Sequence, residues 1–196
     1  ELYVKKLYLV IDKNPSPIAA VLDLTTELGQ ADFETRLRVD EYSHVRAIAE
    51  TDDGRLFMAV RWVKASGGCS APPVKDAEAA RAAMGQMRLR VLAGTASAQS
   101  SLAQLMISHP NDSGMVMDQL TRQYTPPHFV RKIDVTYNGR LVLSADIDFA
   151  ISENPNLRFH FVPQAGGVLG VLTALGIGAA EVTQPEGAPV GPVHAR

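Results

Sequence analysis

Directly after Asn138-Gly139 the chain alternates, with Leu141, Leu143, Ala145, Ile147 and Phe149 against Arg140, Ser144, Asp146 and Asp148. Asn-Gly favours the positive φ angles of a tight hairpin turn, and a period of two belongs to a strand with one buried face. The same combination recurs along the chain. Short β-rich runs cover residues 3–12, 17–24, 36–40, 44–51, 55–64, 86–93, 101–109, 128–137, 140–149 and 157–162, most of them ended by Gly, Pro, Asn or Asp. Runs this short, separated by turns, pair with their neighbours in antiparallel fashion, and the expected class is all-β.

The punctuation divides the chain. Pro15 and Pro17 cannot donate to a sheet ladder and end the first run, while Asp53-Gly54 marks a hairpin whose second arm places Leu56, Met58, Val60 and Trp62 on one face. Arg36-Leu37-Arg38-Val39-Asp40 puts Leu37 and Val39 on one buried face. The best helix formers lie at 75–84, with Asp76 placed as N-cap and Gly85 as stop. These signals predict one antiparallel sandwich over residues 1–69, a short helical linker over 70–85, a second sandwich over 86–183 and a disordered tail over 184–196. Trp62 and the alternating phenylalanines are expected in the core.

An apolar fraction of 46% suits a chain that buries a real core, and a net charge of -2 with mixed signs offers neither a nucleic-acid footprint nor a cationic membrane face. The stretch 166–180 is too short and too glycine-rich for a membrane helix. The chain as given opens at Glu1 with no signal-peptide pattern, so any such segment has been removed or lies outside it, and cytoplasmic location does not follow.

Cys69 is the single cysteine, which excludes an internal disulfide. Its setting is Ser66-Gly67-Gly68-Cys69-Ser70-Ala71-Pro72-Pro73, and two residues without Cβ cannot wall off a pocket. The segment therefore reads as a pliable arm, with Gly67 and Gly68 supplying mobility and Cys69 displayed to solvent as a nucleophile. At an ordinary pKa near 8.5 only about 3% of such a thiol is ionised at neutral pH. Activation is then expected from a partner, since Lys64 and Lys75 flank the arm as solvated, screened charges.

With these residues in hand, the chain resembles the two subunits of the sulfur-oxidation carrier, SoxY and SoxZ, fused into one polypeptide. Residues 7–69 resemble SoxY through Leu9-Val10-Ile11-Asp12-Lys13-Asn14-Pro15-Ser16-Pro17 and the Gly67-Gly68-Cys69 arm. Residues 86–162 resemble SoxZ through Ser108-His109-Pro110, Ser113-Gly114, Pro127-His128-Phe129, Val135 to Gly139 and Ser152-Glu153-Asn154-Pro155-Asn156-Leu157. The resemblance implies immunoglobulin-like sandwiches and a periplasmic carrier, not itself an enzyme and without a cofactor. Such a carrier holds a sulfur-containing intermediate, as in thiosulfate oxidation, covalently on Cys69 while redox enzymes act on it. Single-chain relatives are associated with quinoprotein dehydrogenases. Two departures stand out: the arm lies inside the chain instead of at its end, which limits its reach to at most roughly 15 Å, and no closing strand is recognisable after Gly167.

The other readings are a non-covalent accessory or docking protein for a quinoprotein dehydrogenase and a cysteine hydrolase using His44 or His128 beside Cys69. His109, Asp112, His128 and His160 match no metal-ligand spacing, and His160 is expected to face solvent from its strand.

Overall fold

The computed structural model describes residues 2–65, 67–70, 77–92, 100–118, 120–175 and 179–182. The order of elements is β1 (Val4–Ile11), β2 (Ile18–Leu24), β3 (Phe33–Thr35), β4 (Ser43–Thr51), β5 (Leu56–Val63), α1 (Ala77–Ala82), β6 (Met87–Val91), β7 (Ser101–Ile107), β8 (Val130–Tyr137), β9 (Arg140–Ile147), β10 (Asn156–Phe161), β11 (Leu169–Leu175) and β12 (Ala179–Val182). All pairings are antiparallel, as the alternation and hairpin signals predict.

The strands form two sheets that both halves of the chain share. An eight-stranded sheet runs β12-β11-β8-β9-β2-β1-β4-β5, and a four-stranded sheet runs β3-β10-β7-β6. β2 joins β9 in register from Ala20↔Ile147 to Leu24↔Leu143, and β3 joins β10 through Phe33↔Phe159. One apolar core fills the space between the sheets. Leu22, Leu24 and Leu28 from before the cysteine pack there with Leu105, Val135, Leu143 and Phe159 from after it. Polar stitches follow the same seam: Ser16 donates to Asp148 at 2.6 Å, Thr25 to the carbonyl of Leu141 at 2.7 Å, and Arg140 pairs with Glu27 at 2.6 Å.

Both sharp turns adopt the expected geometry, with Asn138 at φ 51, Gly139 at φ 75 and Gly54 at φ 85. α1 is shorter than predicted, and Gly85 ends the connection at φ 84 with its N–H on the carbonyl of Ser108 at 2.8 Å. The expected Asp76 cap and the tail from residue 184 lie outside the described residues.

Three expectations are corrected. Trp62 is 48% exposed, and Leu56, Phe57, Met58 and Val60 are exposed with it, because β5 is an edge strand and alternation does not reveal whether a second layer covers a face. His160 is buried, with its Nδ1 3.1 Å from the hydroxyl of Ser100, since central β10 lies between β3 and β7. The stretch after Gly167 does supply a strand: β11 pairs with β8, and its Val171 and Thr173 are buried. Among the described residues no helix is long and apolar enough to cross a membrane.

Candidate functional site

A small second cluster of Ile11, Ala19, Val39 and Ala150 forms the floor under the glycine-cysteine segment. The chain between β3 and β4 crosses this floor, with Leu37 bridging to Ile151 and the Arg38 N–H on the carbonyl of Ala150 at 2.7 Å. Buried Asn14 fixes its path: its amide donates to the Arg38 carbonyl at 2.8 Å and its Oδ1 accepts from the Asp40 N–H at 2.9 Å.

The segment bearing Cys69 lies along this strip. Gly67, at φ 73, donates to the carbonyl of Asp40 at 2.7 Å, and the Cys69 N–H reaches Asp40 Oδ1 at 3.3 Å. Gly68 rests on the backbone of Val39 so closely that an added Cβ would stand 2.8 Å from its carbonyl oxygen. From the other side the Ser113 hydroxyl donates to the Cys69 carbonyl at 2.6 Å.

Cys69 is 2% exposed, which overturns the expectation of a thiol displayed to water. The glycines do not wall off a pocket themselves; they let the backbone lie flat, and the walls come from segments remote in sequence. Gly67 and Gly68 belong to a docked segment in this conformation.

The loops on the far wall are held by asparagines at positive φ. Asn111 (φ 49) is fully buried; its amide donates to the carbonyl of Ile151 at 3.2 Å, and its Oδ1 accepts from the Val130 N–H at 3.1 Å. Asn154 (φ 49) accepts from the His109 N–H at 3.1 Å and returns its own N–H to the His109 carbonyl at 2.7 Å. Asn tolerates this left-handed backbone because its short amide bonds to nearby peptide groups. Arg38 ties both halves together, donating to the carbonyls of Asn111, of Phe149 at 3.1 Å and of Pro110 at 3.0 Å.

A cavity of about 350 Å³ opens against the cysteine, lined by Arg36, Arg38, Gly68 and Cys69 on one side and by Pro110 to Ser113, Val116 and Ser152 to Asn154 on the other. Burial, followed by the neighbouring Asp40 carboxylate, pushes the Cys69 thiol up to about 11, with Arg38 opposing the shift. Burial likewise lowers the Arg38 guanidinium from its ordinary value. In this position the thiol is protonated and unreactive at neutral pH.

His44 packs edge-on against Trp62, and His128 against His109, each pair at 4.8 Å between ring centres. Neither ring lines the cavity, so the base that a cysteine hydrolase requires is missing beside the thiol among the described residues. Among those residues no group of three His, Cys, Asp or Glu side chains is placed to hold a metal ion. Lys64 is exposed, and Lys75 lies outside the described residues.

His109 serves the framework. It is 1% exposed, its Nδ1 accepts from the Asn111 N–H at 3.0 Å, and its Nε2 is buried without a partner among the described residues. Burial, and then the neighbouring His128, lower its pKa to about 4 from 6.5. The unfolded chain therefore takes up this proton near 6.5 and the native chain only near 4. Stability should be full above pH 6.5 and fall as pH drops towards 4, by on the order of 3 kcal/mol from this group. Urea midpoints measured from pH 7 to 4.5 should show that slope, and His109→Gln should flatten it.

Sequence reasoning singled out Cys69 but missed Asn14, Arg36, Arg38, Asp40, Asn111 and Ser113 as its surroundings. A signal was present: the alternation that buries Leu37 and Val39 turns Arg36, Arg38 and Asp40 to the opposite side.

The comparisons with known proteins divide the chain at this site. Residues 1–69 match the family model described as sulfur oxidation protein SoxY, and residues 89–174 match that described as sulphur oxidation protein SoxZ. No curated protein and no solved structure matches the chain. Arg36, Arg38, Gly68 and Cys69 fall in the first match, whereas Pro110 to Ser113 and Ser152 to Asn154 fall in the second. The cavity is built where the two regions meet, and the chain unites the SoxY and SoxZ sulfur-oxidation families in a single polypeptide.

Proposed function

We propose that this chain is a carrier, without catalysis of its own, that holds a sulfur-containing intermediate covalently on Cys69 and passes it between redox enzymes of the periplasm. The observation that carries this reading is the position of the sole cysteine, on a glycine-jointed segment against a cavity walled by both family regions. A docked state shelters the sulfur, and release of Gly67 to Cys69 from the Asp40 and Ser113 contacts presents it. Those contacts amount to three hydrogen bonds, each of net worth about 1 kcal/mol, a hold that partner binding can exceed.

Loading sets the class of partner. Joining a cysteine thiolate to the sulfur of a reduced sulfur anion such as thiosulfate forms one S–S bond and releases two electrons, which the partner must accept. A redox enzyme with an electron acceptor is therefore required.

Intact-mass spectrometry of protein isolated from its own cells, before and after reduction, tests the reading. Wild-type chains should carry a reductant-labile mass increment, and Cys69→Ser chains should carry none. An increment that persists in the Ser variant, or its absence from wild type, would refute covalent carriage. The exposed apolar residues of β5 favour a second reading, an accessory protein that docks on a quinoprotein dehydrogenase without using Cys69. Under that reading the Ser variant would sustain full dehydrogenase activity.

A further inference from the structure

β5 is a free edge of the eight-stranded sheet, and its sequence does nothing to discourage a further strand. It runs from Leu56 to Val63 and keeps register with β4 throughout, without a bulge, a proline or a lysine. Those are the usual devices by which an exposed edge avoids pairing. Leu56, Phe57, Met58, Val60 and Trp62 are instead 45% to 65% exposed. Together they offer on the order of 500 Å² of apolar surface, as much as the largest patch on a typical monomer. Two such patches reach the roughly 1,000 Å² of a specific interface.

The backbone fixes which residues a neighbouring strand would meet. The His44 carbonyl accepts from the Asp12 N–H at 3.0 Å on the β1 side of β4, and the Thr51 N–H donates to the Arg55 carbonyl at 3.0 Å on the β5 side. Peptide groups alternate in direction along antiparallel strands. Odd-numbered residues of β5 therefore bond to β4, while Leu56, Met58, Val60 and Trp62 turn their N–H and C=O groups to the open edge.

An antiparallel copy of β5 added there must set even residues opposite even ones. Centred on Met58, the pairing would place Arg55 of each copy opposite Arg61 of the other, a like-charge pair. Centred on Val60, it would set Leu56 against Lys64. Centred on Ala59, it sets Leu56 against Trp62 and Met58 against Val60, one continuous apolar stripe. On the other face Phe57 then stands opposite Arg61 in a close non-hydrogen-bonded pair, which suits a cation over an aromatic ring.

We propose that β5 is the interface of a two-fold dimer of this chain, in which two copies of the strand pair antiparallel about Ala59 and join their large sheets into one. A two-fold pairing uses the same patch on both copies and closes, so it covers the edge without building a fibre. No β5 residue lines the cavity beside Cys69. The two Val63 residues lie about 27 Å apart along the paired strands, so the cysteine segments leave at opposite ends and both cavities stay open. Such a dimer forms whether or not Cys69 carries a group.

Sedimentation equilibrium of the full chain is the test. Wild type and Cys69→Ser should both dimerise at micromolar concentration, the second without any possible disulfide. Val60→Asp changes an exposed side chain and puts an unpaired carboxylate into each half of the interface, so it should weaken association at least about a hundredfold. Leu120→Asp, at an exposed leucine outside β5, should leave it unchanged. The register has its own readout in Cys69→Ser protein. Ala59→Cys lies on the two-fold axis at a separation that a disulfide spans, and diamide, which takes up the two electrons, should link the copies. Leu56→Cys, far from its mate, should not link. A monomer at every concentration, a dimer indifferent to Val60→Asp, or Ala59→Cys chains that stay single would overturn the proposal. A monomer whose Val60→Asp variant loses binding to a dehydrogenase would overturn it in favour of that occupant.

Discussion

Gly68→Ala should raise the rate at which Cys69 is alkylated at pH 7 by up to about a hundredfold. The added Cβ would stand 2.8 Å from the Val39 carbonyl oxygen and 3.0 Å from its nitrogen, and backbone atoms cannot swing aside as a flexible side chain would. The segment must lift, losing the Asp40 and Ser113 contacts and exposing the sulfur. Docked, the thiol is held near 11, against about 8.5 to 9 for a free cysteine; that gap corresponds to about a hundredfold less thiolate at neutral pH, and thiolate sets the rate. The same shift fixes a pH dependence. A neutral thiol contributes its stabilisation to the docked state fully below pH 9.0, and this is lost as pH rises through about 11, so alkali should free the segment in wild type. Iodoacetamide labelling followed by mass is sufficient, and equal rates for wild type and Gly68→Ala would refute the docked geometry. Gly67→Ala is the control: no atom lies within 4 Å of its added Cβ, so strain at φ 73 is its only effect.

Most strands were legible because period-two patterning is a property of each strand alone. What the pattern cannot carry is the identity of the covering layer. Residues 55–64 alternate cleanly, yet β5 is an edge strand and its large side chains stay in water. β10 gives the opposite case: its alternation pointed His160 outwards, but the ring is buried and joined to Ser100. β11 escaped notice because glycine and alanine carry too little polarity contrast to display a period, although pairing with β8 gives it one.

At the site, the cysteine and its glycines were visible and their environment was not. Gly-Gly-Cys reads as exposed when only its neighbours in sequence are considered, whereas the atoms that bury it come from residues 38–40 and 110–113. Several of the SoxY-like and SoxZ-like motifs prove to be the shell of this site: Asn14 sets the path of Arg38 and Asp40, Asn154 holds one opposing loop at positive φ, and Ser113 grips the Cys69 carbonyl, while Asn111, outside those motifs, holds the other loop. Local chemistry named the reactive atom, and long-range pairing decided whether water reaches it.

That same pairing makes the two halves interdependent. Residues 1–69 produced alone should remain unfolded, with no cooperative thermal transition in circular dichroism. Their strands β1, β2, β4 and β5 form one sheet, and the layer opposite it comes from later in the chain except for the short β3. Separation would return Leu22, Leu24 and Leu28 to water, a loss of roughly 5 to 9 kcal/mol, comparable with the whole stability of a small domain. It would also strip β2 of its ladder to β9. Mixing with a chain of residues 70–196 should restore both the sheet signal and the slow alkylation of Cys69, since the cavity wall comes from that half. Recovery of the two signals at the same concentration of added half would tie folding and shelter to one event. A cooperative transition in residues 1–69 alone would instead show that the seam between β2 and β9 is dispensable for folding.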